Sequence, residues 1–172
     1  MINDFFTSNK EKVNAIKANK ANKNKVNENK EEDFYFRLQF DGCSKSNPGL
    51  AGAGSVIYNV KNDELWNGSE FVGTNVTNNH AEYMGLIIGL KQAKEMKIKQ
   101  LIVEGDSMLV IKQMKGEYKV KALHLIELYN EAKLLATGFD SIHYKHIYRN
   151  NNKRADELSN IAVDNYLCKN GI

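Results

Sequence analysis

The stretch FYFRLQFDGCSKSNPGLAGAG, residues 34–54, decides the fold because it predicts a β-strand with one acid at its end. Apolar side chains occupy alternate positions up to Phe40, and polar side chains lie between them, ending with Asp41. Such alternation is typical of a strand. A turn that contains Asn47 and Pro48 follows. Acids often start turns, so Asp41 indicates a functional site only if other acids lie at the ends of other elements.

The segments after this strand predict a regular order of elements. Two β-rich runs, AGAGSVIYNVK and ELWNGSEFVG, are separated by a turn signal at 61–63 and predict an antiparallel meander. A long helical pattern, TNVTNNHAEYMGLIIGLKQAKEMKI, precedes the short buried strand QLIVEGDS, and further helices and one strand complete the chain. The order βββαβα(α)βα predicts an α/β (α+β) domain with a five-stranded mixed sheet, in the order 3-2-1-4-5, flanked by helices.

The bulk composition allows one domain of ordinary size. The chain has 172 residues, of which 42% are hydrophobic. Its apolar runs are too short to cross a bilayer, and its first residues lack the pattern of a secretory signal. Cys43 and Cys168 are too few for a disulfide framework. We therefore expect a monomer in the cytoplasm or nucleus, in a reducing compartment and away from membranes. The net charge of +3 permits a polyanionic partner without requiring one.

The N-terminal segment differs from the rest of the chain. Residues 1–32 consist largely of Lys, Asn, Glu and Ala, and such a segment cannot bury enough apolar area to offset the entropy lost on ordering. We predict a flexible leader over 1–32 and the folded domain over 33–172. Basic and acidic side chains nearly balance in the leader, so a nucleic-acid-binding arm is the less favoured alternative.

Four acids occupy comparable places in the predicted elements: Asp41 late in the first strand, Glu82 on the first turns of the long helix, Asp106 at the end of the fourth strand, and Asp156 near the start of the last helix. Each acid alone has a plain structural explanation as a turn or helix-start residue. Together they can converge, because mixed open sheets gather strand ends and helix starts at one edge. Converging carboxylates repel one another, and a bound cation relieves the repulsion. Oxygen ligands of this kind favour Mg²⁺ or Mn²⁺.

Four blocks carry a family resemblance: FDGCSKSNPGLAGAG, TNNHAEYMGLIIGL, VEGDSMLVIKQMKGEYKVK and HIYRNNNKRADELSN. Their order resembles that of type 1 ribonuclease H from about Phe36 to Val163. The resemblance implies a metal-dependent endonuclease that hydrolyses the RNA strand of RNA–DNA hybrids by a two-metal-ion mechanism and leaves 5′-phosphate and 3′-hydroxyl ends. It implies two Mg²⁺ ions, with Mn²⁺ as the alternative, bound by Asp41, Glu82, Asp106 and Asp156. It also implies that His146 assists proton transfer or product release, whereas a purely structural role at a strand end is the alternative.

The resemblance further implies the residues that contact the hybrid. Asparagine offers both a donor and an acceptor to a 2′-hydroxyl in the wide minor groove of a hybrid. The implied minor-groove contacts are Asn47, Asn78 and Asn79, with backbone groups around Cys43 and Ser44; Thr77 belongs to a phosphate pocket for the DNA strand, and Lys119 and Lys121 contact phosphates. Helix capping is the alternative for Asn78 and Asn79, and a solvated loop is the equally favoured alternative for the two lysines.

Two other functions remain open from the residues. One is a catalytically weak or inactive nucleic-acid-binding domain on the same fold, although such relatives usually lose one or more of the acids. The other is a different nuclease on this fold, such as a Holliday-junction resolvase or an exonuclease. Those enzymes share the acidic cluster but lack the blocks rich in Asn and Gly, so the sequence favours the hybrid-cleaving enzyme.

Overall fold

One mixed β-sheet forms the centre of the computed structural model, which describes residues 35–171. Its strands are β1 (Phe36–Lys45), β2 (Gly49–Tyr58), β3 (Glu64–Val76), β4 (Gln100–Gly105) and β5 (Ser141–His146). Their order in the sheet is β3-β2-β1-β4-β5. β2 is antiparallel to β1 and β3, whereas β4 is parallel to β1 and β5. The predicted sheet order is confirmed.

Four α-helices flank this sheet within the described part of the chain. They are α1 (Asn78–Glu95), α2 (Met108–Met114), α3 (Leu123–Ala136) and α4 (Lys153–Asn170), and a 3₁₀ turn at Arg149–Asn151 precedes α4. The Thr77 hydroxyl caps α1 by accepting a hydrogen bond from the backbone N–H of His80 at 3.4 Å. The residue that caps α1 is therefore Thr77, not Asn78 or Asn79.

Helices cover both faces of the sheet, and this explains the burial of polar residues in β1. The larger core cluster joins β1 and β4 to α1 and α3, with Leu38, Phe40 and Leu86 fully buried. α4 packs on the opposite face, where Leu158 contributes to a smaller cluster. Asp41 is only 5% exposed because α4 lies over it.

β1 does not end at Asp41, where the sequence pattern predicted the turn to begin. The strand continues to Lys45 because the residues after Asp41 pair with β2, from Gly42 opposite Ala53 to Lys45 opposite Leu50. Asp41 therefore lies within a paired strand, opposite Gly54 of β2. The turn predicted around Asn47 is present between β1 and β2.

The described residues bear on two further expectations. Within residues 35–171, no helix combines the length and the apolar character that crossing a membrane requires. The predicted leader, residues 1–32, lies outside the described residues, and the boundary at residue 33 stays a prediction.

Candidate active site

Three of the four predicted acids meet at one edge of the sheet. β1 and β4 are parallel, with Phe40 opposite Gly105, so the next residues, Asp41 and Asp106, follow at adjacent positions. The first turns of α1 bring Glu82 to the same place. One carboxylate oxygen from each acid lies within 4.8 Å of the others. The structure thus unites residues that are up to 65 positions apart in the chain, counted from Asp41 to Asp106.

Two glycines allow α1 to approach β1 closely enough for this cluster to form. A Cβ atom on Gly42 would lie 2.1 Å from the backbone nitrogen of Glu82, and a Cβ atom on Gly85 would lie 2.5 Å from the carbonyl oxygen of Asp41. Any side chain at either position would push the helix away from the strand. The backbone of α1 therefore rests directly on β1 and places Glu82 beside Asp41.

Asp156 lies beside the three-acid cluster rather than in it. Arg149 Nη2 donates a hydrogen bond to Asp156 Oδ1 at 2.5 Å. The Asp156 side chain is 30% exposed, and it belongs to the first turn of α4. Arg149 also lines the acidic cleft, although the sequence analysis did not select it. The fourth acid is therefore paired with a cation of the protein itself.

Burial and mutual repulsion raise the pKa values of two acids of the cluster, Asp41 and Glu82. Burial raises the pKa of Asp41 to about 7, with the charge of Asp106 next in effect, whereas a hydrogen bond from Ser159 lowers it. Burial, followed by the charges of Asp41 and Asp106, raises the pKa of Glu82 well above its usual range. Glu82 Oε2 is buried and finds no hydrogen-bond partner within residues 35–171. The charged forms of these carboxylates therefore lack full compensation from the described residues.

The donor set of this cluster fits a divalent metal ion. Its three ligand groups are carboxylates, and hard oxygen donors of this kind bind Mg²⁺ and Mn²⁺. A cation at this place would compensate the buried charges and would engage the unsatisfied Glu82 Oε2. The acidic cluster of Asp41, Glu82 and Asp106 is accordingly suited to divalent metal binding.

Two buried polar side chains orient the acids, and neither was predicted from the sequence. Asn152 is fully buried, and its Nδ2 donates to Asp106 Oδ1 and to the carbonyl oxygen of Phe40, each at 2.9 Å. Ser159 is fully buried, and its Oγ lies 2.9 Å from Asp41 Oδ2. Asn immediately before a helix is an available cap signal, but no local pattern indicates partners this distant in the chain.

His146 is the last residue of β5 and lies next to the third acid. Its Nε2 is 3.2 Å from the carbonyl oxygen of Asp106, and its ring makes an edge contact with Tyr148 at a centroid distance of 5.9 Å. A carbonyl oxygen only accepts hydrogen bonds, so Nε2 is the donor in this contact and Nδ1 is not engaged by it. His146 therefore both ends a strand and adjoins the acidic cluster.

The asparagines predicted to contact the hybrid gather at the start of α1. A cleft of about 300 Å³ contains the acidic cluster and is also lined by Cys43, Ser44 and Asn78. Asn47 Oδ1 accepts a hydrogen bond from the backbone N–H of Asn78 at 2.9 Å, and Asn78 Nδ2 donates to Glu82 Oε1 at 3.4 Å. The first of these bonds ties the turn between β1 and β2 to the beginning of α1.

The other predicted contact residues differ in their distance from the cleft. The Ser44 hydroxyl donates to the carbonyl oxygen of Val76 at 2.7 Å, and the Cys43 thiol donates to that of Ser159 at 3.2 Å. Both side chains thus bond to the protein, as expected if their backbone groups face a substrate. Exposed residues complete the predicted set: Asn79 in the first turn of α1, and Lys119 and Lys121 in the connection between α2 and α3, outside the cleft lining.

Comparisons with known proteins agree with this fold. The family described as "Reverse transcriptase-like" matches residues 39–162. The bifunctional protein Rv2228c of Mycobacterium tuberculosis is 40% identical over 127 residues, which cover 74% of this chain and 35% of that protein. The chain thus spans about a third of the length of this relative.

Solved structures extend the comparison. The N-terminal RNase H domain of Rv2228c superposes with a TM-score of 0.76 at 37% identity, covering 81% of this chain and 99% of that one. RNase H1 from the archaeon Halobacterium salinarum superposes with a TM-score of 0.73 at 35% identity, and the match covers 76% of this chain and 98% of that one. LC11-RNase H1, isolated from compost by a metagenomic approach, was solved in complex with an RNA/DNA hybrid. It superposes with a TM-score of 0.72 at 35% identity, and the match covers 77% of this chain and 99% of that one.

The sheet order, the flanking helices and the acids at the sheet edge define a domain of the ribonuclease H-like fold. The matches cover most of this chain and nearly the whole of these solved domains, so they identify the family within this fold. The chain belongs to the type 1 ribonuclease H family.

Proposed function

We propose that this chain is a metal-dependent endonuclease that hydrolyses the RNA strand of RNA–DNA hybrids. The convergence of Asp41, Glu82 and Asp106 within 4.8 Å, in a member of this family, is the observation that carries the proposal. The complex of LC11-RNase H1 with an RNA/DNA hybrid supports the same substrate class, since that protein matches the chain over nearly its whole length. The expected products carry 5′-phosphate and 3′-hydroxyl ends.

The resident cofactor in this proposal is Mg²⁺, with two ions per site and Mn²⁺ as the alternative. Asp41, Glu82 and Asp106 would hold the ions, and Asp156 would assist from the margin of the site. When bound, such ions activate a water molecule and stabilise the negative charge that develops on the phosphate oxygens. Because the ions activate water, the reaction requires no protein nucleophile of the Ser-His-Asp or Cys-His kind.

The remaining groups of the site would handle protons and phosphate charge. His146 Nε2 faces the carbonyl oxygen of Asp106, so Nδ1 is the ring atom that would accept and return a proton. The Arg149 guanidinium, 75% exposed at the cleft, can attract a phosphate of the RNA strand. These two side chains would assist the departure of the product.

Recognition of the hybrid would depend on the start of α1 and on the lysines beyond α2. Asn47 and Asn78, already joined by a hydrogen bond, and the exposed Asn79 can read 2′-hydroxyls in the minor groove. Thr77 lies at the N-terminus of α1, where backbone N–H groups attract a phosphate of the DNA strand. Lys119 and Lys121 would add phosphate contacts that are independent of base sequence.

A cleavage assay on duplexes of one sequence tests the proposal. RNA–DNA, RNA–RNA and DNA–DNA forms are incubated with the full chain in Mg²⁺, in Mn²⁺ or in EDTA, and product ends are identified by their mobility and by phosphatase treatment. We expect cleavage of the RNA strand of the hybrid alone, and none in EDTA. Binding of the hybrid without cleavage in either metal would instead support an inactive binding domain, and equal cleavage of DNA–DNA would support a different nuclease.

A further inference from the structure

Ser159 is a buried hydroxyl on α4 that touches the acidic cluster. Its side chain is 0% exposed, and its Oγ lies 2.9 Å from Asp41 Oδ2. The proposed reaction needs no serine at this place, and helix α4 could present any small residue there. The Ser159 hydroxyl points at Asp41, an acid of the cluster, and can therefore affect how that carboxylate is held.

The single proton of this hydroxyl has two acceptors within reach, Asp41 Oδ2 and the backbone oxygen of Asp156, both at 2.9 Å. The backbone oxygen of Asp156 also accepts a hydrogen bond from Asn160 Nδ2 at 2.8 Å, so it has a donor without Ser159. A hydrogen bond to a carboxylate is stronger than one to a neutral carbonyl group. The hydroxyl proton therefore goes to Asp41 when that carboxyl is ionised.

The packing of α4 on β2 fixes this hydroxyl in place. A Cβ atom on Gly52 would lie 2.1 Å from the carbonyl oxygen of Ser159, and a Cβ atom on Gly54 would lie 2.5 Å from its backbone nitrogen. Gly54 is the residue of β2 that pairs with Asp41. The two glycines thus let the helix rest on the strand beside Asp41, and the distance from Ser159 to the acid follows from the backbone packing.

We propose that Ser159 is a positioning residue that holds the Asp41 carboxylate in the orientation needed for metal binding. The hydrogen bond engages Oδ2 and leaves Oδ1 free of Ser159. A carboxylate without this restraint would lose rotational freedom only when the metal binds, and that ordering would weaken the metal affinity. The inference rests on the proposed function, because it takes Asp41, Glu82 and Asp106 as the metal ligands.

The test is the metal affinity of the Ser159→Ala variant of the full chain, measured by titration calorimetry with Mg²⁺ and with Mn²⁺ in the absence of substrate. We expect the affinity to fall about three- to tenfold, as for the loss of one charge-assisted hydrogen bond. The Mg²⁺ concentration that gives half-maximal cleavage should rise by the same factor. The KM for the hybrid should not change, since Ser159 is buried and does not line the cleft.

Two matched variants separate the hydroxyl from the packing. Ser159→Thr keeps the hydroxyl and adds volume, so it should retain the wild-type metal affinity even if its melting temperature falls. Ser69→Ala removes a different hydroxyl from the same helix contact, since Ser69 Oγ donates to the carbonyl oxygen of Leu158 at 2.7 Å. It should lower stability and leave the metal affinity unchanged.

Three results would overturn the role of Ser159: an unchanged affinity in Ser159→Ala, an equal loss in Ser159→Thr, or affinities that follow the melting temperatures of all variants. If Ser159→Ala does not fold, Ser159→Cys replaces it, because a thiol of similar size is a weak donor and should show the same loss. A wild-type chain that binds neither Mg²⁺ nor Mn²⁺ would refute the proposed metal site itself. That failure is distinct from wild-type binding that Ser159→Ala leaves intact.

Discussion

Arg149 and Asp156 form an ion pair at the margin of the acidic site, with Nη2 and Oδ1 2.5 Å apart. This pair distinguishes Asp156 from the three acids that share the buried cluster. We therefore predict that Asp156→Asn lowers kcat at saturating Mg²⁺ by about tenfold, since the amide keeps an oxygen for Arg149 and loses only the charge. The free energy of unfolding should change by less than about 1 kcal/mol, because the pair is solvent-exposed and screened. A loss of activity as large as that of Asp41→Asn would instead make Asp156 a direct metal ligand.

Asp41→Asn should abolish cleavage while the protein stays folded. Asp41 is a buried acid of the cluster, and loss of metal stabilisation amounts to several kcal/mol, so we expect kcat to fall at least about 1000-fold. The metal-free variant should be as stable as the wild type or more stable, because one charge leaves a repulsive cluster. The measurements are cleavage, hybrid binding by fluorescence anisotropy, and denaturant unfolding in EDTA.

Glu104→Gln is the matched control for Asp41→Asn. Glu104 is also a buried acid, but its Oε2 accepts hydrogen bonds from Arg37 Nη1 at 3.0 Å and from Gln39 Nε2 at 2.9 Å. Its neutralisation should cost roughly 1–3 kcal/mol of stability and leave cleavage unchanged. The two variants are thus expected to show opposite patterns, and a matching pattern would contradict the assignment of the cluster.

The stability of the metal-free protein should fall as the pH rises. Folding raises the pKa of Asp41 from 3.8 to about 7 and raises that of Glu82 above 4.5, so the folded state binds protons more tightly than the unfolded state. The stabilisation from protonation is complete below about pH 4 and is lost as the pH passes through 7. We expect the free energy of unfolding in EDTA to be lower at pH 8 than at pH 5, by on the order of 2 kcal/mol.

Mg²⁺ and the Asp41→Asn variant provide the checks on this pH dependence. Mg²⁺ binds the ionised acids, so it should raise the melting temperature more at pH 8 than at pH 5. The free energy of unfolding of metal-free Asp41→Asn should decrease less between these pH values, because one of the two groups with a raised pKa is absent. A wild-type protein whose metal-free stability falls from pH 5 to pH 8 by no more than that of the variant would contradict the raised pKa values.

Deletion of residues 1–32 should leave the specific activity within about threefold of that of the full chain, because such a composition offers neither a core nor concentrated charge. Activity is compared at several salt concentrations. A large loss at moderate salt that low salt restores would show that this segment supplies phosphate contacts. The truncated chain should also melt cooperatively, as a domain that begins near residue 33.

The order of elements could be predicted from the sequence because it depends on local periodicity. Alternation in β1 and helical spacing in α1 are properties of neighbouring residues, and the sheet order followed from the succession of elements. The end of β1 could not be located in this way. It depends on pairing of Gly42–Lys45 with β2, and a run of glycines and small residues carries little periodic signal.

The acids of the site could be predicted because Asp106 follows a strand and Glu82 and Asp156 lie near the starts of helices, and the fold gathers such positions at one edge, beside Asp41. The residues that orient them could not be predicted. Ser159 contacts an acid 118 positions away, and Asn152 contacts one 46 positions away, so neither leaves a local pattern. The sequence pattern also did not distinguish among the four acids. In the structure, Asp156 differs from the others because its side chain pairs with Arg149.

His146→Ala should be milder than Asp41→Asn. If His146 transfers a proton, water can replace it in part, and we expect kcat to fall about 100-fold, as is typical for loss of a general acid or base. The loss should depend on pH, because a proton carrier acts in only one of its protonation states. The measurement is the pH profile of kcat with saturating Mg²⁺.

The control for this prediction is His124→Ala, which removes an exposed histidine on α3, outside the lining of the cleft. It should leave kcat unchanged at every pH. The hydrogen bond from His146 Nε2 to the Asp106 carbonyl makes a structural role the competing explanation, so the melting temperature of His146→Ala is measured as well. A variant with a lower melting temperature and a wild-type pH profile would assign His146 to the strand end alone. A normal melting temperature with a pH-dependent loss of kcat would assign it to proton transfer.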